Sequence, residues 1–142
     1  MSLEENKKIA RDFVEQVLNQ HDLNAVDQFM AEDIFEHNQL PGLPQGIEGQ
    51  RQAIGILLSA FPDQQNTIED VIAEGDKVVI RSTLRATHKG EFQGISPTGK
   101  QVRVEGIDIV RIEDGKFVEH WGVFDALGMM QQLGLVPPPG GR

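Results

Sequence analysis

The first half of the chain has the spacing of apolar residues that is typical of amphipathic helices. Ile9, Phe13 and Val17 recur at intervals of four, and similar patterns continue in the segments that follow. This periodicity predicts three helices, over 3–20, 22–30 and 47–61. A brief extended segment over 34–37 is predicted between the last two helices, and it leads into a loop rich in Pro and Gly.

The second half alternates between apolar and polar residues, which is the pattern of β-strands. It predicts four strands, over 67–73, 77–88, 101–112 and 116–123. The last two strands flank Asp114-Gly115, a dipeptide that favours a tight hairpin turn. A short helix over 125–133 is predicted to follow the last strand.

Helices followed by consecutive strands predict an α+β fold in one domain, residues 1–135, with a Pro/Gly-rich tail over 136–142. The connections between the strands are too short for crossover helices, so the sheet should be mostly antiparallel. The N-terminal helices would then cover one face of a curved sheet and enclose a pocket, which is a common place for a small ligand.

Composition narrows the classes of function. Asp and Glu number 22 against 13 Lys and Arg, and the resulting net charge of −9 argues against nucleic-acid binding. The chain has no Cys, which excludes disulfides, thiolate nucleophiles and Cys-ligated metals. It shows neither a signal-peptide pattern nor a long apolar stretch, so we expect no membrane association and a cytoplasmic location.

Strand alternation predicts which side chains face the pocket. Counting outward from the hairpin turn pairs Asp108 with Trp121 and turns His120 to the outer face, where a structural or interface role is expected. The residues predicted to face inward are Ile80, Leu84 and His88 in one strand, and Asp108, Glu119, Trp121 and Asp125 in and after the hairpin.

Two of these inward residues, Asp108 and Asp125, are the candidate catalytic groups. An apolar environment disfavours the charged form of a carboxyl and raises its pKa, which suits general acid–base catalysis. Asp125 is also well placed to cap the last helix, and the two roles are compatible. Asp108 lies in mid-strand, where Asp is uncommon, and should have a partner such as His88 or the Trp121 indole.

The histidines and the common nucleotide and nucleophile motifs give little further guidance. The four His residues are scattered without the spacing of a metal site, so we expect no metal. His37 precedes the Pro/Gly-rich loop and is a candidate for the pocket mouth. The chain lacks G-x-S-x-G, P-loop and G-x-G-x-x-G motifs, so nucleophilic triads and nucleotide sites are not supported.

A series of short motifs runs through most of the chain. They are Phe61-Pro-Asp63, the segment 73–79, Thr87-His88-x-Gly90-Glu-Phe92, Pro97-Thr-Gly99, the segment 112–116, Glu119-His-Trp121 with Asp125, and Gln132-Leu-Gly134. The first half matches more loosely, through its helix, His37 and Gly46-x-Glu48-Gly49. In this combination the chain resembles the SnoaL-like polyketide cyclase family, part of the nuclear-transport-factor-2-like superfamily.

The resemblance implies a cone-shaped, cystatin-like α+β barrel, usually a homodimer, with a ligand cavity between helices and sheet. Family cyclases close a ring in a polyketide ester by an intramolecular aldol reaction that needs no metal or cofactor. Asp125, at the end of the W-x-x-x-D stretch, corresponds to their general acid–base. The family often has His at the position of Asp108, and replacing a neutral or cationic donor with an acid is expected to change the substrate. Residues expected to contact substrate are His37, His88 and Trp121, with walls formed by Phe35, Leu57, Phe61 and Leu84.

The leading hypothesis is therefore a cofactor-free polyketide cyclase, of the isomerase or intramolecular lyase class, that acts on a hydrophobic carbonyl compound. One alternative is epoxide hydrolysis or ketosteroid-type isomerisation on the same fold. Another is a non-catalytic, dimeric module that binds a small ligand. A homodimer is expected to form through the outer sheet face, where Val79, Ile109 and Val118 lie.

Overall fold

The computed structural model describes residues 1–137 and has a five-stranded sheet at its centre. The strands are β1 (Met30–Glu36), β2 (Gln65–Glu74), β3 (Lys77–Thr87), β4 (Gln101–Glu113) and β5 (Lys116–Phe124). Their order across the sheet is β1-β5-β4-β3-β2. Neighbours are antiparallel except at one edge, where β1 runs parallel to β5. The predicted tail over 136–142 lies outside the described residues from position 138 onward.

The helices pack against this sheet and complete the α+β fold that the sequence predicts. Ser2 and Glu5 form a capping box at the start of the first helix, which ends in a π-helical turn over Val14–Asn19. The first helix packs on β2 and β3, the third on β1, and the last on β4. The α-helices are α1 (Leu3–Phe13), α2 (Val26–Phe29), α3 (Ile47–Ala60) and α4 (Ala126–Gln132).

The segment around β1 differs from the prediction. The predicted second helix over 22–30 is a 3-10 turn followed by the short α2, and the chain is already extended at Met30. The strand therefore has seven residues rather than the brief piece at 34–37. β1 is paired with β5, with Met30 opposite Phe117 and Glu36 opposite His120. These partners are distant in the sequence, so the local periodicity of residues 30–36 gives no indication of the pairing.

A β-bulge in the β4–β5 hairpin decides which β5 side chains face the helices. Beside the turn the register is the predicted one, and Ile112 lies opposite Phe117. The next pair is Arg111 with Glu119, which leaves Val118 as an extra residue. Because side chains alternate along a strand, this one-residue shift moves the rest of β5 to the face opposite the predicted one.

The core lies between the helices and the inner face of the sheet. One cluster of buried residues includes Phe29, Ile34, Val78, Val110 and Phe117. A second cluster includes Phe61, Phe92, Val104, Met129 and Leu133. Among residues 1–137, no helix is both long and apolar enough to cross a membrane.

Candidate active site

A cavity of about 340 Å³ is present between the helices and the inner face of the sheet. Its walls are mostly apolar, and Leu57, Phe61 and Leu84 line it, as the sequence predicts. Apart from Ser82 and Gln93, the polar side chains of these walls form two groups. The first group comprises Glu36, Asn38, Gln50, Asp108 and His120, and the second comprises Gln64 and Asn66. A cavity of this size accommodates a small organic ligand.

His120 connects two carboxylates in the first polar group. Its Nδ1 donates to the Glu36 carboxylate, whose oxygens lie 2.7 and 2.8 Å away. Its Nε2 donates to Oδ1 of Asp108 at 2.8 Å. The three residues come from β1, β5 and β4, which are adjacent in the sheet. The Glu36 side chain is only 8% exposed, whereas that of Asp108 is 40% exposed and is the carboxylate available to a ligand.

Glu36 is held in its buried position by donors on every side. Besides His120, the Gln50 side-chain amide donates to Oε1 at 2.9 Å, and the backbone N–H of Asn38 donates to Oε2 at 3.0 Å. Burial by itself raises the pKa of Glu36, but these hydrogen bonds and the charge of His120 outweigh burial and lower that pKa below its ordinary value. Glu36 is therefore a carboxylate near neutral pH.

His120 is an imidazolium in this setting. Burial favours the neutral ring and lowers the pKa of His120, but the hydrogen bonds and charges of Asp108 and Glu36 raise it to about 9. Ionised carboxylates only accept hydrogen bonds, so both ring nitrogens carry protons. The charged ring fixes the position of Asp108 and connects it to the buried Glu36.

Space around Asp108 is kept open by a glycine on the neighbouring strand. Gly122 lies directly opposite Asp108 in the β4–β5 pairing. A Cβ atom at Gly122 would lie 2.6 Å from Oδ1 of Asp108 and 2.8 Å from Cε1 of His120. The backbone N–H of Gly122 donates to Oδ1 of Asn38 at 2.8 Å. The absence of a side chain here is what permits the contact between Asp108 and His120.

The predicted inward placement of Trp121, His37 and Phe35 is wrong. None of the three lines the cavity. Beyond the bulge, Trp121 is turned to the outer sheet face, where its ring stacks on His37 with centroids 4.5 Å apart. Phe35 contacts the same His37 ring edge-on at 4.8 Å. Glu119 is also turned outward and lies 2.6 Å from Nε2 of His37.

Asp125 and His88 also lie outside the cavity walls. The Asp125 carboxylate is exposed and accepts the backbone N–H of Gly128 at 2.8 Å, so it caps α4 as predicted but does not face the cavity. His88 is fully buried beside Phe61, and its Nδ1 accepts the backbone N–H of Thr98 at 3.2 Å. The predicted partner of Asp108 is therefore wrong, because His120 takes that position.

Sequence reasoning missed Glu36 and assigned His120 to the wrong face. A signal for Glu36 is present in the alternation of β1, where Ile34 and Glu36 are buried and Phe35 is exposed. No comparable signal exists for His120, because its orientation depends on the bulge. Within residues 1–137, no group of three or more His, Asp or Glu side chains is arranged to hold a metal ion.

The fold and the site define an α+β protein whose curved sheet and helices enclose an apolar cavity with an acid–base cluster in its wall. A family model described as SnoaL-like polyketide cyclase matches residues 8–133. The chain therefore belongs to the SnoaL-like polyketide cyclase family, as the sequence motifs predict.

Similar proteins include two that are named as methyl ester cyclases. The aklanonic acid methyl ester cyclase of Streptomyces peucetius is 32% identical over 108 residues, which are 75% of this chain and 72% of that protein. The nogalonic acid methyl ester cyclase of Streptomyces nogalater is 29% identical over 111 residues, which are 77% of this chain and 83% of that protein. These relatives support a polyketide cyclase.

Solved structures share the fold. TsrD from Streptomyces laurentii superimposes with a TM-score of 0.87 and 33% identity, over 96% of this chain and 99% of that one. A SnoaL-like polyketide cyclase from Agrobacterium tumefaciens superimposes with a TM-score of 0.79 over 94% of this chain and all of that one. At 19% identity the second likeness shows the fold alone.

Proposed function

We propose that this protein is a cofactor-free polyketide cyclase that closes a ring by an intramolecular aldol reaction. The observation that supports this proposal is a partly exposed carboxylate, Asp108, at the wall of an apolar cavity and anchored by the charged ring of His120. An aldol closure needs one base near an acidic C–H group and a cavity that folds the substrate onto itself. Both requirements fit the residues described above.

In the proposed mechanism Asp108 removes a proton from the carbon between or beside carbonyl groups of the substrate. The resulting enolate attacks a ketone in the same molecule, a carbon–carbon bond forms, and the ketone oxygen becomes an alkoxide. The protonated Asp108 then returns its proton to that alkoxide, so the reaction has no net gain or loss of atoms. His120 and Glu36 hold Asp108 in place, and the substrate carbonyls delocalise the enolate charge.

This proposal replaces Asp125 with Asp108 as the base. Asp125 is exposed and its carboxylate caps α4. A base must come within hydrogen-bond reach of the proton that it removes. Asp108 meets this condition for a substrate in the cavity, because its side chain lines the cavity.

The alternatives make different demands on the site. Epoxide hydrolysis by a water held between two carboxylates requires open space between them, but the His120 ring lies between Asp108 and Glu36. Ketosteroid-type isomerisation would use the same base on an unsaturated ketone. A non-catalytic binding module would need the cavity but not the ionised form of Asp108.

The test is turnover of aklanonic acid methyl ester, nogalonic acid methyl ester and an unsaturated steroid ketone, followed by absorbance. Asn in place of Asp108 keeps the shape but cannot accept the proton, so we expect Asp108→Asn to lower kcat by about 10²- to 10⁴-fold. Asp125→Asn is the matched control, because Asn caps helices as well as Asp does. Loss of activity in Asp125→Asn together with full activity in Asp108→Asn would refute the proposed base.

We also propose that the protein is a homodimer that uses the outer sheet face. Ile72 and Ile107 are large apolar residues of this face, and they are 61% and 44% exposed. An apolar patch exposed on a sheet is a common site of association. His120, expected from the sequence to be part of this face, instead faces the cavity.

A further inference from the structure

The second polar group of the cavity contains an amide whose orientation is fixed by its neighbours. Oδ1 of Asn19 accepts the backbone N–H of Asn66 at 2.7 Å, and a backbone N–H can only donate. The side-chain group of Asn66 that approaches the same oxygen at 3.2 Å must then be its NH₂. That NH₂ also donates to Gln64 at 3.2 Å, so the Gln64 atom that it meets is the carbonyl oxygen, Oε1.

It follows that Asn66 pairs with the carbonyl oxygen of the Gln64 side chain and not with its NH₂ group. Nε2 of Gln64 has no hydrogen-bond partner among residues 1–137, and the residue is only 3% exposed. Gln64 lies in the cavity wall beside Phe61 and Asn66. Buried donors are nearly always paired in folded proteins, because an unpaired donor has lost its hydrogen bonds to water without replacement. An acceptor that enters the cavity would satisfy it.

The second polar group lies at the end of the cavity away from Asp108. Asn66 pairs with Leu84 on β3, whereas Asp108 pairs with Ile80 on the same strand. Four residues of strand span about 13 Å, and β2 and β4 are two strand spacings apart, about 10 Å, so the backbones at the two ends are about 16 Å apart. Side chains stand roughly perpendicular to a sheet, so the separation of the two polar groups is of the same order as that of the backbones, about 16 Å.

We propose that Gln64 is a substrate-binding residue that donates a hydrogen bond to an oxygen at the far edge of the substrate. The acidic C–H group of the substrate lies at Asp108, and a carbonyl or hydroxyl oxygen at the opposite end of the molecule lies at Gln64. Leu57, Phe61 and Leu84 line the cavity and would contact the apolar part of the substrate. This proposal rests on the proposed function only in placing the reacting end of the substrate at Asp108.

Two probe ligands of equal shape test the hydrogen bond. 2-Acetylnaphthalene carries one carbonyl acceptor, and 2-isopropenylnaphthalene replaces that carbonyl oxygen with a CH₂ group, so only the first ligand can accept a hydrogen bond from Gln64. Dissociation constants are measured by calorimetry for wild type, Gln64→Met and Leu84→Met. Met at position 64 keeps the length of the side chain but has no N–H donor. The control Leu84→Met alters the cavity wall without removing a donor.

We expect wild type to bind the acetyl ligand about tenfold more tightly than its isopropenyl analogue, because only the acetyl ligand pairs the buried amide. The preference should fall to within about twofold in Gln64→Met and persist in Leu84→Met. Equal affinities in wild type, an unchanged preference in Gln64→Met, or no binding of the acetyl ligand at millimolar concentration would overturn the proposal.

A second variant covers the case in which Gln64→Met does not fold. Gln64→Glu keeps an acceptor for Asn66 and the same chain length but loses the N–H donor, so it should also abolish the preference. Asp108→Asn separates this proposal from the function. If the catalytic assignment fails but Gln64 binds as proposed, Asp108→Asn turns over substrate normally and the ligand preference still depends on Gln64.

Discussion

The contact between Asp108 and His120 requires a glycine at position 122, and a methyl group added there tests the site directly. In Gly122→Ala the new Cβ would lie 2.6 Å from Oδ1 of Asp108. An ordinary contact is about 3.4 Å, so the carboxylate must move by about 0.8 Å. The backbone is not in the left-handed region at this position, so the expected effect comes from the side chain alone.

The movement should break the hydrogen bond between His120 and Asp108. A hydrogen bond to a charged group contributes about 1.5–3 kcal/mol, so we expect the free energy of unfolding to fall by about 2 kcal/mol. A displacement of nearly 1 Å at a catalytic group can cost about 10²-fold in rate, and kcat for ring closure should fall by about that factor. The His120 pKa, followed by NMR titration, should also fall because one of its two carboxylates has moved away.

Gly106→Ala is the matched control for this experiment. Gly106 is on β4, two residues from Asp108, and a Cβ there would meet its nearest neighbours, the Val123 carbonyl oxygen and Phe124 Cβ, at 3.3 and 3.6 Å. The contact at 3.3 Å requires a shift of only a few tenths of an ångström and involves neither Asp108 nor His120, so we expect the unfolding free energy to change by about 1 kcal/mol or less and the His120 pKa to stay high. A Gly122→Ala variant with wild-type kcat and an unchanged His120 pKa would refute the argument that the Asp108–His120 contact positions the base.

Two further predictions concern stability and assembly. An ordinary histidine has a pKa of 6.5, whereas the pKa of His120 in the folded protein is raised to about 9. Protonation of His120 therefore stabilises the fold fully below about pH 6.5, and this contribution is lost as the pH rises through about 9. The pKa difference corresponds to about 3 kcal/mol. The free energy of unfolding in urea should therefore fall by about this amount between pH 6 and 9.5 in wild type but not in His120→Gln, and an equal fall in both proteins would contradict the prediction. Sedimentation at micromolar concentration should give a dimer for wild type and a monomer for Ile107→Lys, which puts a charge in the outer apolar face, and a wild-type monomer would exclude the dimer.

Much of the fold follows from short-range patterns in the sequence. Helical periodicity predicts the helix α3, and Asp114-Gly115 predicts both the hairpin and its first cross-strand pairs. These features depend on neighbours a few residues apart, so the pattern carries enough information. Asp108 is also predicted correctly to face inward, because it lies on β4, where simple alternation from the turn holds.

The cluster of Asp108, His120 and Glu36 could be predicted only in part. Its geometry depends on the β-bulge in the β4–β5 hairpin and on the pairing of β1 with β5. Val118 is an ordinary strand residue, and nothing in the local sequence indicates that the register shifts at this point. Once it shifts, His120 replaces Trp121 on the inner face. The parallel pairing of β1 with β5, which brings Glu36 to His120, joins segments 84 residues apart and has no local signature.

The parallel β1–β5 edge also determines when the catalytic cluster can form during folding. β1 is made early, but within residues 1–137 its one neighbour in the sheet is β5, so it cannot complete these hydrogen bonds until β5 has been synthesised. Contacts between distant segments are slow to form because the intervening chain must first be ordered. A nascent chain that ends before β5 therefore contains Asp108 and Glu36 but not His120, and the cluster forms only when β5 has paired with both β4 and β1.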